Sequence, residues 1–229
     1  MNIIYSPAKT MQFTERLETS VVPGPYYEPF LKELQGYSIK QLTKVYGCSP
    51  AIAETVFHSF QGFDQATTNA ALCAFTGLAY QALRPFEYTR EQWDYAEDTI
   101  RILDAFYGVL TPQTQIKSYR LDFHSNTKRS LKTSWAFDLQ EPIINLASKE
   151  FSSLVKQPMI TIDFLERENG NDRNKATYAK MARGAMLDYC ITHQVRTPET
   201  LQNFDRLGYR FDALSSSSSR FVFVREKSL

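Results

Sequence analysis

The chain begins MNIIYSPAKTM, and the apolar run Ile3-Ile4-Tyr5 stops abruptly at Ser6-Pro7. A run this short and this uniformly apolar reads as a buried strand, and Pro7, which has no backbone N–H, closes its ladder. Comparable runs recur far down the chain, in PIINLAS, MITIDFLERE and the alternating tail RFVFVRE, with helical segments between them. Strands interleaved with helices predict an α+β (mixed α/β) architecture, a mixed sheet flanked by helices. No internal repeat or linker divides the sequence, so residues 1–229 read as a single domain. The serine run at 215–219 sits directly before a strand and reads as a loop.

The local signals place the helices. Two helical segments are expected between Phe30 and about Phe60, after an irregular, proline-rich stretch at 19–29. Ser49-Pro50 caps the second with proline at its first position. A helix or strand then contains Ala70-Ala71-Leu72. The clearest helix is expected over 89–108: Thr89 and Gln92 form a capping-box pattern, and Trp93, Ala96, Ile100, Leu103 and Tyr107 recur every three or four residues up to Gly108. GNDRN reads as a turn, and a further helix is expected over about 179–195.

Composition excludes several classes of function. A hydrophobic content of 43% and an aromatic share of 14% are those of a globular protein, and a formal charge of +1 confines any charged partner to a local patch. Cys48, Cys73 and Cys190 are far apart and odd in number, which fits neither a disulfide framework nor zinc, and points to a reducing compartment. His58, His124 and His193 share no metal-ligand spacing, so no metal site is expected. Neither a signal peptide nor a membrane span is evident, no phosphate-binding glycine loop occurs, and no cofactor is implied; a cytoplasmic location is expected.

Three stretches carry candidate chemistry. Ser6-Pro7-Ala8-Lys9 formally matches the S-x-x-K of serine acyl enzymes, but the companion S-D-N and K-T-G are absent. An anion contact or a solvated lysine at a strand end is the stronger reading. In YAKMARG, a helix starting near Ala179 puts Lys180 and Arg183 on one face near its positive end, where cations are unfavourable unless an anion such as phosphate binds. The bland alternative is a helix that starts earlier and carries both as ordinary surface residues. The stretch IKSYRLDFHSNTKRSLKTSW mixes Lys117, Arg120, Lys128, Arg129 and Lys132 with Tyr119, Phe123 and Trp135, which suits a nucleic-acid backbone or nucleotide as well as a solvated basic loop. LDAFYGVLTP is a weak match to the hairpin of a helix-hairpin-helix, since Ala105 and Gly108 are three apart.

Taken together, SPAKT, AFTGLAYQAL, ILDAFYGVLTPQTQIKSYRLDF, INLASKEF, YAKMARGAM, GYRFD and FVFVRE resemble, in order and over nearly the whole chain, the YaaA family of peroxide-stress-response proteins. The resemblance implies a cytoplasmic protein that limits iron-dependent oxidative damage, with a DNA-binding activity, a helix-hairpin-helix-like element and a basic cleft. It places the family's motif positions on Ser6, Lys9, Tyr80, Arg120, Trp135, Asn145, Ser148, Lys180 and Arg183. Ala105 replaces a family glycine, and the segment between Trp135 and Ile143 is shorter than expected, which implies a lost helix and a trimmed cleft.

The leading expectation is therefore a stress protein that binds nucleic acid, duplex DNA first, through a cleft of Lys9, Arg120, Lys180 and Arg183 walled by Tyr80 and Trp135. The rival is an enzyme acting on a nucleotide or nucleobase in a pocket lined by Ser6, Lys9, Tyr80 and Arg120, so that the partner is a phosphate-bearing small molecule. The sequence names no catalytic residue and no oligomeric state.

Overall fold

Apolar side chains on both faces of a strand need cover on both faces. The first strand, β1 (Asn2–Tyr5), obtains it at the middle of a mixed sheet, with all four residues buried. The computed structural model describes residues 1–129 and 139–227. After β1 come β2 (Thr10–Met11), α1 (Glu28–Gln35), α2 (Ile39–Tyr46), α3 (Pro50–Gln61), β3 (Thr68–Ala70), α4 (Ala71–Ala74) and β4 (Phe75–Thr76). Then follow α5 (Arg90–Thr99), β5 (Ile100–Asp104), β6 (Gly108–Leu110), β7 (Gln115–Lys117), β8 (Ile143–Asn145) and α6 (Lys149–Ser152). The chain finishes with β9 (Ile160–Glu168), β10 (Asn171–Arg173), α7 (Ala176–His193), β11 (Arg210–Phe211) and β12 (Arg220–Glu226). Among the described residues no helix is long and apolar enough to cross a membrane.

Among the described residues the main sheet runs β11-β12-β9-β8-β1-β5-β6, with β10 paired to β9. β1 pairs in parallel on both sides, Ile3 opposite Ile100 of β5 and Ile144 of β8. The β8–β9 and β9–β12 pairs are also parallel, while β6, β10 and β11 are antiparallel to their neighbours. From β1 the chain winds first to β5 on one side and later to β8 on the other. Where the winding direction of a parallel sheet reverses, a crevice opens beyond the carboxyl ends of the two strands. Ser6 leaves β1, and residues 146–148 leave β8, at that crevice.

Several local signals act as expected. Ser49 caps α3 by accepting the Ile52 N–H, with Pro50 at the first position, and Thr89 with Gln92 forms the reciprocal capping box of α5. The expected pair of helices before Phe60 is three: Ser38 and Gln41 make a second capping box, and Gly47, in a left-handed conformation, ends α2. Of GNDRN only Gly170 turns, together with Asn169 before it, both with positive φ, while Asn171–Arg173 form β10.

The helix expected over 89–108 stops at Thr99. Ile100 already has extended backbone, and Ile100, Ile102, Leu103 and Asp104 are buried in β5. Residues spaced three and four apart satisfy a helix stripe, but in a strand covered on both faces every position is apolar, so this spacing fits there too. The slot beside β1 decides the matter. LDAFYGVLTP is consequently the turn of a β-hairpin joining β5 to β6, not part of a helix-hairpin-helix, and Ala105 is buried within it. The Asp104 carboxylate holds the turn, accepting the N–H groups of Phe106 and Tyr107 at 2.8 Å each and the hydroxyl of Tyr119. Burial pushes this carboxyl up to about 6, against the opposing pull of those three hydrogen bonds.

The last expectation to change concerns α7, which starts at Ala176. Lys180 and Arg183 therefore lie beyond its first turn, away from the free N–H groups, and the argument from misplaced cations at a helix start fails. No side chain caps this helix, so its beginning left no mark in the sequence. α7 instead carries Gly184 at a close approach: a Cβ there would sit 2.2 Å from the carbonyl oxygen of Ala79. Glycine inside a helix ordinarily costs about 1 kcal/mol relative to alanine. Here it lets the helix press against the 77–79 loop.

Two outcomes follow. Gly184→Ala should lower unfolding stability in urea by about 1–3 kcal/mol, despite alanine's higher helix propensity, because backbone must move; a gain in stability would contradict the close approach. For Asp104, a folded-state value raised above the ordinary 3.8 means that the folded protein binds the proton more tightly. Stability is then full below about pH 4, falls as pH rises towards 6, and is level above. Relative to Asp104→Asn, the native protein should lose on the order of 3 kcal/mol between pH 4 and 7, at ~1.4 kcal/mol per unit. Parallel urea titrations check it, and a pH-independent difference would contradict it.

Candidate functional site

The carboxyl ends of β1 and β8 open into a cleft of about 390 Å³. Its walls come from residues 5–11, 76–79, 119–122 and 146–151 and from α7. Ser6, Lys9, Arg120, Ser148, Lys180 and Arg183, picked out in six different positions of the sequence, all line it. Lys9 and the Lys180/Arg183 pair, at opposite ends of the chain, thus face one space.

Its floor is held by backbone contacts made with side chains. Tyr80 donates its hydroxyl to the carbonyl of Ser6 at 2.8 Å, and Tyr5 donates to Ala79 at 2.5 Å, the two rings meeting edge to face. The Ser6 hydroxyl accepts the N–H of Ser148 at 2.8 Å and lies 3.3 Å from the Ser148 hydroxyl. Ser148 stands before α6 but does not cap it. Asn145 accepts the N–H of Ala147 at 3.0 Å and reaches Thr161 with its amide, so it shapes the loop leaving β8 without touching the cleft. Tyr80 and Asn145 are therefore behind the cleft, not in its lining. Trp135, Lys132 and residues 136–138 of the shortened segment lie outside the described residues.

The basic stretch around Arg120 divides. Lys117 donates to the carbonyl of Asp64 and sits over the Phe63 ring, and Lys128 sits over Tyr37, so both serve packing. Phe123 packs on Phe151. Tyr119 stacks on Phe106 while its edge reaches the cleft, tying the buried Asp104 to the site.

Charge in the cleft is unevenly matched. Lys9 pairs with Asp122 at 3.1 Å. Burial opposes ionisation of Asp122, but the Lys9 ammonium, the His124 N–H and the Ser125 hydroxyl together hold its carboxyl below the ordinary value. Among the described residues, Arg120, Lys180 and Arg183 have no carboxylate partner and no side-chain hydrogen bond, and the Nε atoms of Arg120 and Arg183 are buried and unpartnered. Burial also pulls the Arg183 guanidinium below its ordinary value, against the favourable charge of Asp163. An unpartnered buried polar group costs on the order of 1–3 kcal/mol, more when charged. Native proteins keep such groups where something else completes them.

Two acidic residues share the space. Besides Asp122, Glu150 lines the cleft with its Oε1 buried and without a hydrogen bond, the His124 ring nitrogen standing 3.8 Å away. Neither Glu150 nor Asp104 is among the candidates that the sequence offers. A lone acid ending the apolar run IRILD was the available signal for Asp104, whereas nothing local distinguishes Glu150. Among the described residues no three His, Cys, Asp or Glu side chains sit close enough to hold a metal ion together.

This arrangement can be set beside known proteins. The family described as "Peroxide stress protein YaaA" matches residues 1–214. A UPF0246 protein of Agathobacter rectalis is 34% identical over 248 aligned residues, covering 99% of this chain and 99% of the relative. UPF0246 proteins of Desulforapulum autotrophicum and Pediococcus pentosaceus are 32% and 33% identical, covering 98% and 99% of this chain and 99% of each relative. With the match running through every segment that builds the cleft, the chain belongs to the YaaA family of peroxide stress proteins.

Proposed function

We propose that the protein serves the peroxide-stress response by binding nucleic acid through phosphate contacts in this cleft, and so limits iron-dependent oxidative damage where that nucleic acid lies. The observation that carries the reading is the convergence of Lys9, Arg120, Lys180 and Arg183, from three separate segments, on one cleft in which three of the four have no acidic partner among the described residues. Guanidinium and ammonium groups left unpaired beside an apolar wall are suited to phosphate oxygens, with arginine offering paired donors and lysine a point charge. The cations arrive without a helix N-terminus behind them, so side chains must supply the attraction.

A second reading, an enzyme acting on a nucleotide or nucleobase, is favoured by one observation: the same recess also presents the Ser6 and Ser148 hydroxyls side by side. Chromatographic detection of a converted nucleotide, lost in Ser6→Ala, would support it.

Binding of labelled nucleic acid, duplex and single strand, followed by anisotropy between 50 and 200 mM salt, tests the leading reading: affinity should fall with a log–log slope of about −0.9 per phosphate neutralised for a duplex and about −0.7 for a single strand. Lys180→Ala with Arg183→Ala should weaken binding and make the slope shallower by up to about two units. Absence of binding at low salt, or a slope unchanged in the double variant, would overturn it.

A further inference from the structure

We infer that the cleft is built to hold a single nucleotide, its phosphate on the Arg120 and Arg183 guanidinium groups and a hydrogen-bond donor of its base or sugar on Glu150. The inference rests on the phosphate-binding reading above and specifies the unit recognised. Three observations converge on it.

The first is shape. Duplexes are read by elements that protrude into a groove, whereas the cations here line a recess of about 390 Å³, within the range of small-molecule sites. A recess accepts what protrudes: a free nucleotide, or one that has left the stack of a strand.

The second is the pairing of unmet groups. The buried, unpartnered Nε atoms of Arg120 and Arg183 belong to guanidinium groups that want an anion. The buried Oε1 of Glu150, in the same cleft, has no hydrogen bond, the His124 ring nitrogen standing off at 3.8 Å, and can take a donor. A bare phosphate answers the first need and is repelled by the carboxylates of Glu150 and Asp122. A nucleotide answers both, since its exocyclic amines or sugar hydroxyls donate.

The third is the apolar wall. Met11, Leu78, Leu121, Leu146 and Phe151 line the recess between these polar groups, and a flat base can lie against them. A continuous phosphodiester backbone has no use for such a surface.

The test is isothermal calorimetry on the full chain with four probe classes: the 5′-mononucleotides, ribose 5-phosphate, inorganic phosphate and a short single-stranded DNA. At least one mononucleotide should bind about ten-fold or more tightly than ribose 5-phosphate or inorganic phosphate, a difference of the size one hydrogen bond to a charged group can supply. Glu150→Ala should abolish that preference while leaving inorganic phosphate bound as well or better; Arg183→Ala should weaken every phosphate probe. Glu150→Gln, which keeps the side chain's shape, guards against a loss of fold and should bind the nucleotide between native and Glu150→Ala. Competition between the strand and the mononucleotide assigns the site to an unstacked residue of a strand, and its absence assigns it to the free nucleotide. If phosphate and DNA bind but no nucleotide is preferred, the inference is overturned and the phosphate-binding reading stands. If no probe binds, both fall.

Discussion

The parallel pairing of β1 with β5 on one side and β8 on the other is the constraint from which the rest of the structure follows. A four-residue strand carries few hydrogen bonds of its own, so its position depends on complete burial of Ile3, Ile4 and Tyr5 between two parallel neighbours and the layers above and below. Once it is seated, the strand ends of β1, β8 and β5 all point the same way. Ser6, the 146–148 loop and Asp104 are delivered to one edge, at the place where the winding of the sheet reverses. The abrupt change from Tyr5 to Ser6 is thus the boundary between core and cleft.

Much of what makes the cleft specific lies outside its lining. Tyr80 holds the Ser6 carbonyl, Asn145 bends the chain out of β8, and Gly184 allows α7 to approach the 77–79 loop closely enough for Arg183 to face the same space. Asp104 acts one step further back, through the Tyr119 hydroxyl. Each of these residues fixes backbone or a ring, so the cations of the lining are placed by a stiff support. A long, charged side chain gives up considerable rotamer entropy when it is fixed, and support of this kind reduces what a ligand must order on binding.

The residues named from family motifs separate into two physical groups that sequence could not distinguish. Ser6, Lys9, Arg120, Ser148, Lys180 and Arg183 meet in the cleft, while Tyr80 and Asn145 are partly or wholly buried supports. No helix start draws an anion to Lys180 and Arg183, because α7 begins at Ala176 and carries both beyond its first turn. Their meeting with Lys9 depends on the sheet order and on the glycine contact, not on a helix dipole. Glu150 escaped notice for the complementary reason: an acid in a short helical turn is ordinary until its oxygen is found buried and unpartnered.

Sequence by itself determined the features governed by neighbours a few residues away: the caps at Ser49 and Thr89, and the burial of the short apolar runs. Those depend on local hydrogen bonds and on side-chain polarity, which travel with the residues. Only the tertiary structure decided that the chain passes from helix to strand between Thr99 and Ile100, because the same apolar spacing satisfies both until a vacant edge of β1 takes up the backbone hydrogen bonds. The cleft belongs to the same category. Charges more than a hundred residues apart carry no mark of one another in the sequence, and it is the long-range pairing of parallel strands that brings them to face a common space.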